Sequence, residues 1–294
     1  MFQQFIKHSQ ARVELALDHW LSPSQFDQVK LMEAMRYSAM NGGKRVRSLL
    51  AIAAAESLQD SDSEILDAIV CAIECVHAYS LIHDDLPAMD DDDLRRGRPS
   101  CHIAYGEANA ILAGDALQAE AFRILSHPSL NLDDFTRVQL IRELAEAAGS
   151  QGMVLGQAID LNAVDRDLTL ADLETMHRLK TGALINASVR MGAWAGGADE
   201  AALASLSRYA ELVGLAFQVQ DDVLDVTVDT QTLGKTQGAD AARNKPTFVS
   251  LLGLEQAKAY AQELHRQALD ALATFDYRAD NLRHISGYIV NRGY

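Results

Sequence analysis

The sequence predicts an all-α protein, and three observations carry that reading. Apolar residues recur with a period near 3.6 along almost the whole chain, the pattern of amphipathic helices. Alanine is abundant and runs of β-branched residues are scarce, so composition favours helix as the period does. Only five prolines are present, and four of them fall between periodic segments, where helices start or stop.

Taken in order, the pattern predicts helices near 2–20 and 25–40, parted by Pro23, and then 45–59, read from Leu49 to Leu58. An apolar stretch from Ile65 to Ile82 predicts 63–90. Pro99 separates it from 105–126, and Pro128 separates that from 133–149, where Leu132, Phe135, Val138, Ile141, Leu144 and Ala148 keep the helical spacing. Segments at 151–163 and 170–196 follow. Leu203, Leu206, Tyr209, Ala210, Val213 and Phe217 predict 200–229. The last two helices are 247–274, just after Pro246, and 280–291. Helices 63–90 and 200–229 are apolar over more than half their circumference, so they belong in the centre of a bundle. Hairpin turn signals with sustained period-2 alternation are missing, as are low-complexity linkers and repeats of 20–50 residues. One all-α domain over 1–294 is expected.

Charge narrows the partners. The 294 residues carry 26 Lys+Arg against 41 Asp+Glu, a formal −15, which argues against nucleic acid and anionic membrane surfaces. Met1–Gln10 has no signal-peptide apolar core, and no uninterrupted apolar run approaches the roughly 20 residues of a membrane span. Three cysteines are too few, and odd in number, for a disulfide framework. Cys71 and Cys75 lie one helical turn apart near His77, but a thiol metal site needs a second pair, so they read as core residues. A reducing, cytoplasmic setting is expected.

Two acidic clusters do not fit a core. The first is His83-Asp84-Asp85-Leu86-Pro87-Ala88-Met89-Asp90, continued by Asp91, Asp92 and Asp93, directly after an apolar helix. Aspartates at a helix C-terminus oppose the macrodipole, so the cluster asks for a cation. The second is Gln218-Val219-Gln220-Asp221-Asp222-Val223-Leu224-Asp225, with Asp229 beyond. Asp221, Asp225 and Asp229 form one stripe on a helix and repel one another, more so among Phe217, Val219, Val223 and Leu224. Oxygen-only ligands select hard cations, and Mg²⁺ takes one or two carboxylates with waters and substrate phosphate oxygens. Such a site predicts basic residues nearby. Asn41-Gly42-Gly43-Lys44-Arg45-Val46-Arg47 puts three cations at a helix start, against the dipole, where a bound anion would relieve the conflict. Arg95, Arg96, Lys180, Lys235 and Lys245 are further candidate phosphate ligands.

In combination and order, these motifs resemble the trans-isoprenyl diphosphate synthases. The resemblance runs from Gly42 to the C-terminus: GGKRVR, HAYSLIHDDLPAMDDDDLRRGRP, GEANAILAGDAL, GQAIDL, KTGAL, FQVQDDVLDV, LGK and NKPTF. It implies a bundle of about ten helices around a deep central cavity, and a homodimer. It also implies two metal-binding motifs, Asp84, Asp85 and Asp90 in the first and Asp221, Asp222 and Asp225 in the second. Between them, three Mg²⁺ ions would hold the diphosphate of an allylic substrate. Arg95, Lys180, Lys235 and Lys245 would complete that cage, with Thr181 and Gln218 near the allylic unit. Isopentenyl diphosphate would be held by Lys44, Arg47, His77 and Arg96. Asp84, Asp85, Asp90, Lys180 and Asp221 would be the catalytic set.

The implied chemistry matches the residues. Metal and cations stabilise charge developing on the departing diphosphate. The allylic cation is attacked by the double bond of isopentenyl diphosphate, and proton loss to the released diphosphate regenerates an allylic diphosphate. No side-chain nucleophile is required, and an apolar bundle keeps water from the cation. Tyr79 lies five residues before Asp84, about 7.5 Å deeper along the axis, and Ser80 one turn beneath it. In the family, an aromatic residue there with the longer D-D-x-x-x-x-D spacing marks bacterial enzymes that stop at the C15 product. A farnesyl product is therefore expected, with geranyl and geranylgeranyl products as alternatives. A terpene cyclase would lack the second phosphate pocket of Lys44, Arg47 and Arg96. A metal phosphohydrolase built on His83-Asp84 would leave the second aspartate cluster idle, and a non-catalytic scaffold would leave both.

Overall fold

In a computed structural model of the chain, residues 2–22, 30–58, 63–163, 168–228 and 245–292 are described. Helix dominates them, as the sequence predicts. They divide into two compact units, one of residues up to 52 with 61–141 and one of 53–60 with 142–294, the boundaries at 52/53 and 141/142 falling inside helices.

The first unit contains α1 (Phe2–Trp20), α2 (Lys30–Ala39), most of α3 (Val46–Glu56), α4 (Ser63–Asp84), a two-stranded ribbon (β1, Leu94–Arg95; β2, Arg98–Pro99), α5 (Cys101–Tyr105), α6 (Glu107–Leu125) and the first half of α7 (Asp134–Ala148). At its centre α4 packs along α6 and is also covered by α1 and α2. Ile69, Val70, Cys71, Ala72, Ile73, Cys75 and Val76 are all fully buried, which is why this helix is apolar all round. By length and hydropathy Glu64–Asp84 would suit a membrane, but 78% of that window is buried in protein. All three cysteines are buried and free, in agreement with their reading as core residues.

Helix α4 ends at Asp84, six residues earlier than the periodicity predicts. The chain turns instead, bringing the Asp90 amide back to the Asp84 carbonyl at 2.8 Å. A hairpin that the sequence did not predict follows. Arg96 (φ +54°) and Gly97 (φ +76°) are both left-handed at its turn, the arrangement that matches the twist of paired strands. An arginine at the first of those positions hid the signal.

The second unit contains α8 (Met153–Ala163), α9 (Leu170–His177), a single π-helical turn (Arg178–Gly182), α10 (Ala183–Ala195), α11 (Glu200–Thr227), α12 (Phe248–Leu252), α13 (Leu254–Ala271) and α14 (Asp280–Asn291). Its axis is α11, started by an Asp199 cap on the Ala202 amide (2.8 Å) and flanked by α10, α13 and α14. The Tyr209 hydroxyl, buried in α11, donates to the Leu282 carbonyl of α14 at 2.6 Å. Two predicted helices are interrupted. Residues 170–196 are broken by the π turn, and 247–274 by Gly253.

His177 ends α9, buried and stacked on Phe248 with ring centroids 5.4 Å apart. Burial lowers its imidazole from 6.5 to about 4, against the opposite pull of Asp160. The unfolded chain therefore binds a proton below pH 6.5 that the folded chain refuses until about pH 4, so stability falls as pH falls through that window. The loss reaches about 3 kcal/mol at most. In His177→Phe the melting temperature should vary less between pH 6.5 and 4 than in the wild type, and parallel curves would contradict this.

Candidate active site

In the first unit, the loop at 41–45, the first turn of α3 and the end of α4 carry most of the predicted residues. Arg47 Nη1 lies 3.4 Å from His77 Nε2. Arg96 donates to the Gly42 carbonyl, and its guanidinium lies flat against Gly43, where a Cβ would sit 2.6 Å from Cζ. Only glycine permits that approach, and Gly43 also needs φ +107°. Asn41 Nδ2 reaches the Arg95 carbonyl at 3.2 Å, joining the loop to the ribbon. Lys44 and Arg47 are half-buried and Arg96 is exposed.

The electrostatics follow from this crowding. His77 is held well below its ordinary value by burial first and then by Arg47, Arg96, Arg45 and Arg95. A neutral imidazole among arginines makes this a candidate anion site.

The first aspartate motif divides its work. Asp85 is buried and accepts from Arg95 Nε at 3.0 and 3.2 Å and from Arg95 Nη2, which also donates to Asp92 Oδ2 at 3.4 Å. Burial raises the Asp85 carboxyl, opposed by Arg95. Asp85, Arg95 and Arg96 line one cleft with Tyr37, Asn41 and Ser100. Asp84 and Asp90 are half-buried, drawn together by the backbone bond between them. Deeper in α4, Tyr79 is 5% exposed and meets His83 edge-on at 5.8 Å, while the Ser80 hydroxyl donates to the His77 carbonyl at 2.9 Å.

In the second unit, Lys180 and Thr181 sit on the π turn, a widening that often accompanies function. Thr181 donates to Gln218 Oε1 at 2.8 Å, tying the turn to α11. Lys180 Nζ donates to Asp160 Oδ2 at 2.6 Å, and Lys245 Nζ donates to the same oxygen at 3.2 Å. Asp160 is 5% exposed; burial pushes its carboxyl up, but the two lysines outweigh this and hold it low. Gly156 lets α8 approach the π turn, since a Cβ there would lie 2.1 Å from the Lys180 backbone nitrogen.

The second motif also divides. Asp222 is buried and accepts from the Phe248 amide at 2.7 Å, anchoring α12. Asp225 is buried at 2% exposure. Asp221, more open, pairs with Arg292, whose guanidinium covers the Phe217 ring at 4.0 Å and donates to the Phe217 carbonyl at 3.1 Å. Lys235 and Asp229 lie outside the described residues.

Among the described residues, no three His, Cys, Asp or Glu side chains converge enough to hold a metal alone. The oxygen-only clusters fit Mg²⁺, which needs one or two carboxylates and completes its octahedron with water and phosphate oxygens. Sequence reasoning missed Asp160, the single acid of α8, and Glu74, an acid within the apolar stretch from Ile65 to Ile82 of α4. That setting was the available signal, because such a residue is buried only with a partner.

A polyprenyl synthetase family model matches residues 28–278. A farnesyl diphosphate synthase of Escherichia coli is 50% identical over 99% of this chain and 99% of its own length. An FPP/GFPP synthase structure from Zymomonas mobilis shares 42% identity at a TM-score of 0.88, covering 98% of each chain. A Helicobacter pylori geranyltransferase, complexed with magnesium and isoprenyl diphosphate, shares 36% identity at a TM-score of 0.84, covering 98% of this chain and 96% of that one. The fold and these likenesses define a prenyltransferase of the all-helical isoprenyl diphosphate synthase class. The chain belongs to the polyprenyl synthetase family.

Proposed function

We propose that the chain is a farnesyl diphosphate synthase, condensing isopentenyl diphosphate head-to-tail with dimethylallyl and then geranyl diphosphate. The observation that carries the reading is the group of cations gathered near His77, with Arg47 Nη1 3.4 Å from its ring and Arg96 held against Gly42 and Gly43, in a protein whose net charge is −15. An anion site that survives such an excess of acid has been assembled by particular residues. Lys44, Arg47, His77 and Arg96 would bind isopentenyl diphosphate there, with the imidazole gaining a proton or donating its N–H as the anion enters.

Arg95 and Lys180 would donate to the allylic diphosphate as its C–O bond breaks, joined by Lys245 and Lys235. Thr181 and Gln218 would orient the allylic end. Asp84, Asp85, Asp90, Asp221, Asp222 and Asp225 are the candidate ligands of Mg²⁺, three ions by family resemblance. When bound, the metal supplies Lewis-acid stabilisation of the leaving group. The new carbon–carbon bond forms from the isopentenyl double bond, and the proton then lost goes to the released diphosphate. Tyr79 and Ser80 would limit the growing chain.

Incubation with Mg²⁺, geranyl diphosphate and labelled isopentenyl diphosphate should put label into a C15 allylic product. Failure with dimethylallyl, geranyl and farnesyl primers alike would sink the reading. A cytoplasmic homodimer completes the proposal. Ile111 (43% exposed), Leu112 (54%), Phe135 (62%) and Val138 (58%) supply apolar surface for a second copy. Sedimentation equilibrium should give twice the 32.1 kDa chain mass, and a monomer at micromolar concentration would remove that part.

A further inference from the structure

Arg45 stands between Lys44 and Arg47, the two loop cations assigned above to isopentenyl diphosphate, yet it points the other way. It is 6% exposed, with its backbone at φ +54°, a left-handed conformation that a non-glycine residue keeps only when its surroundings impose it. All three guanidinium nitrogens are engaged. Nη1 donates to Glu74 Oε2 at 2.8 Å, Nη2 to Glu14 Oε1 at 2.7 Å and to the Ala39 carbonyl at 2.9 Å, and Nε to Glu14 Oε1 at 3.1 Å. Glu74 is 2% exposed, and its other oxygen accepts from Ser48 Oγ at 2.6 Å.

Placement gives this network its meaning. Glu74 precedes His77 by three residues on α4, so the two share a face. Ser48 directly follows Arg47. One buried carboxylate therefore holds Arg45, just before α3, and Ser48, in its first turn, and fastens the start of α3 to α4 beside His77, leaving Arg47 Nη1 3.4 Å from His77 Nε2. We propose that Arg45 and Glu74 are positioning residues for isopentenyl diphosphate: their buried pair sets the register of the Lys44–Arg47 segment, where the loop enters α3, against the helix that carries His77. This inference rests on the assignment of that pocket in the proposed function. A buried ion pair is weak evidence of stability, but a planar guanidinium with all three nitrogens directed specifies an angle that an ammonium does not. Arg45→Lys keeps the charge, so its effect on the pocket would act through geometry.

The test is Glu74→Gln, Arg45→Lys and the milder Ser48→Ala, each checked for folding by thermal melting. In Glu74→Gln and Arg45→Lys the KM for isopentenyl diphosphate should rise about 10-fold, while kcat and the KM for geranyl diphosphate stay within about twofold. Ser48→Ala should move the same constant less, and it carries the test should the other two fail to fold. Calorimetric binding of isopentenyl diphosphate alone should weaken by the same factor. Both KM values rising together, or neither moving in folded variants, would overturn the positioning role. A wild type that binds isopentenyl diphosphate but forms no condensation product would contradict the proposed function instead.

Discussion

Asp84→Asn should lower kcat/KM by about 10³-fold or more while leaving the melting temperature unchanged or slightly raised. Asp84 closes α4, and the turn behind it places Asp90 at the same end through the 2.8 Å bond from the Asp90 amide to the Asp84 carbonyl. A carboxylate at a helix C-terminus opposes the macrodipole, so neutralising it should cost no stability. It is retained for another reason. An amide keeps the shape but is a far weaker ligand for a hard cation, and stabilisation of charge on a departing diphosphate is worth about 4 kcal/mol per lost partner. That difference converts to the stated factor. Steady-state kinetics and differential scanning calorimetry on one preparation separate the two effects. Activity near wild type would remove Asp84 from the metal site.

Tyr79→Ala should lengthen the product from C15 to C20 or beyond. Tyr79 is 5% exposed on α4, five residues before Asp84, with His83 against its edge at 5.8 Å. Removing the ring opens volume about 7.5 Å below the proposed diphosphate end, room for further isoprene units to extend. The same truncation should destabilise the protein by about 3 kcal/mol, because neighbours only partly refill such a cavity. Chromatography of the dephosphorylated products reads the outcome. An unchanged C15 profile would remove Tyr79 as the floor.

The helical plan was legible because period and proline placement act locally. Its errors arose where tertiary contacts intervene. Asp84 ends α4 because Asp90 folds back onto it, a bond invisible to periodicity. The π turn at 178–182 interrupts a pattern that reads as continuous helix, with Gly156 of α8 pressed against the Lys180 backbone. The site was legible as residue types and less so as roles. The three cations of the GGKRVR stretch looked alike, all opposing a helix dipole. The structure separates them, because Arg45 is satisfied internally by Glu14 and Glu74 while Lys44 and Arg47 stay half-buried at the loop. Asp85 and Asp222 likewise have protein partners, Arg95 and the Phe248 amide. A spacing rule assigns one role to every aspartate of a motif, whereas burial distinguishes them.

The most direct measurement supplies dimethylallyl diphosphate as the only primer with excess labelled isopentenyl diphosphate and Mg²⁺, and counts label per product and diphosphate released. The account predicts a C15 allylic product carrying two labelled units, two diphosphates released per product, and no condensation in chelator. Primer consumed without incorporation of label, or incorporation that survives chelation, would contradict it.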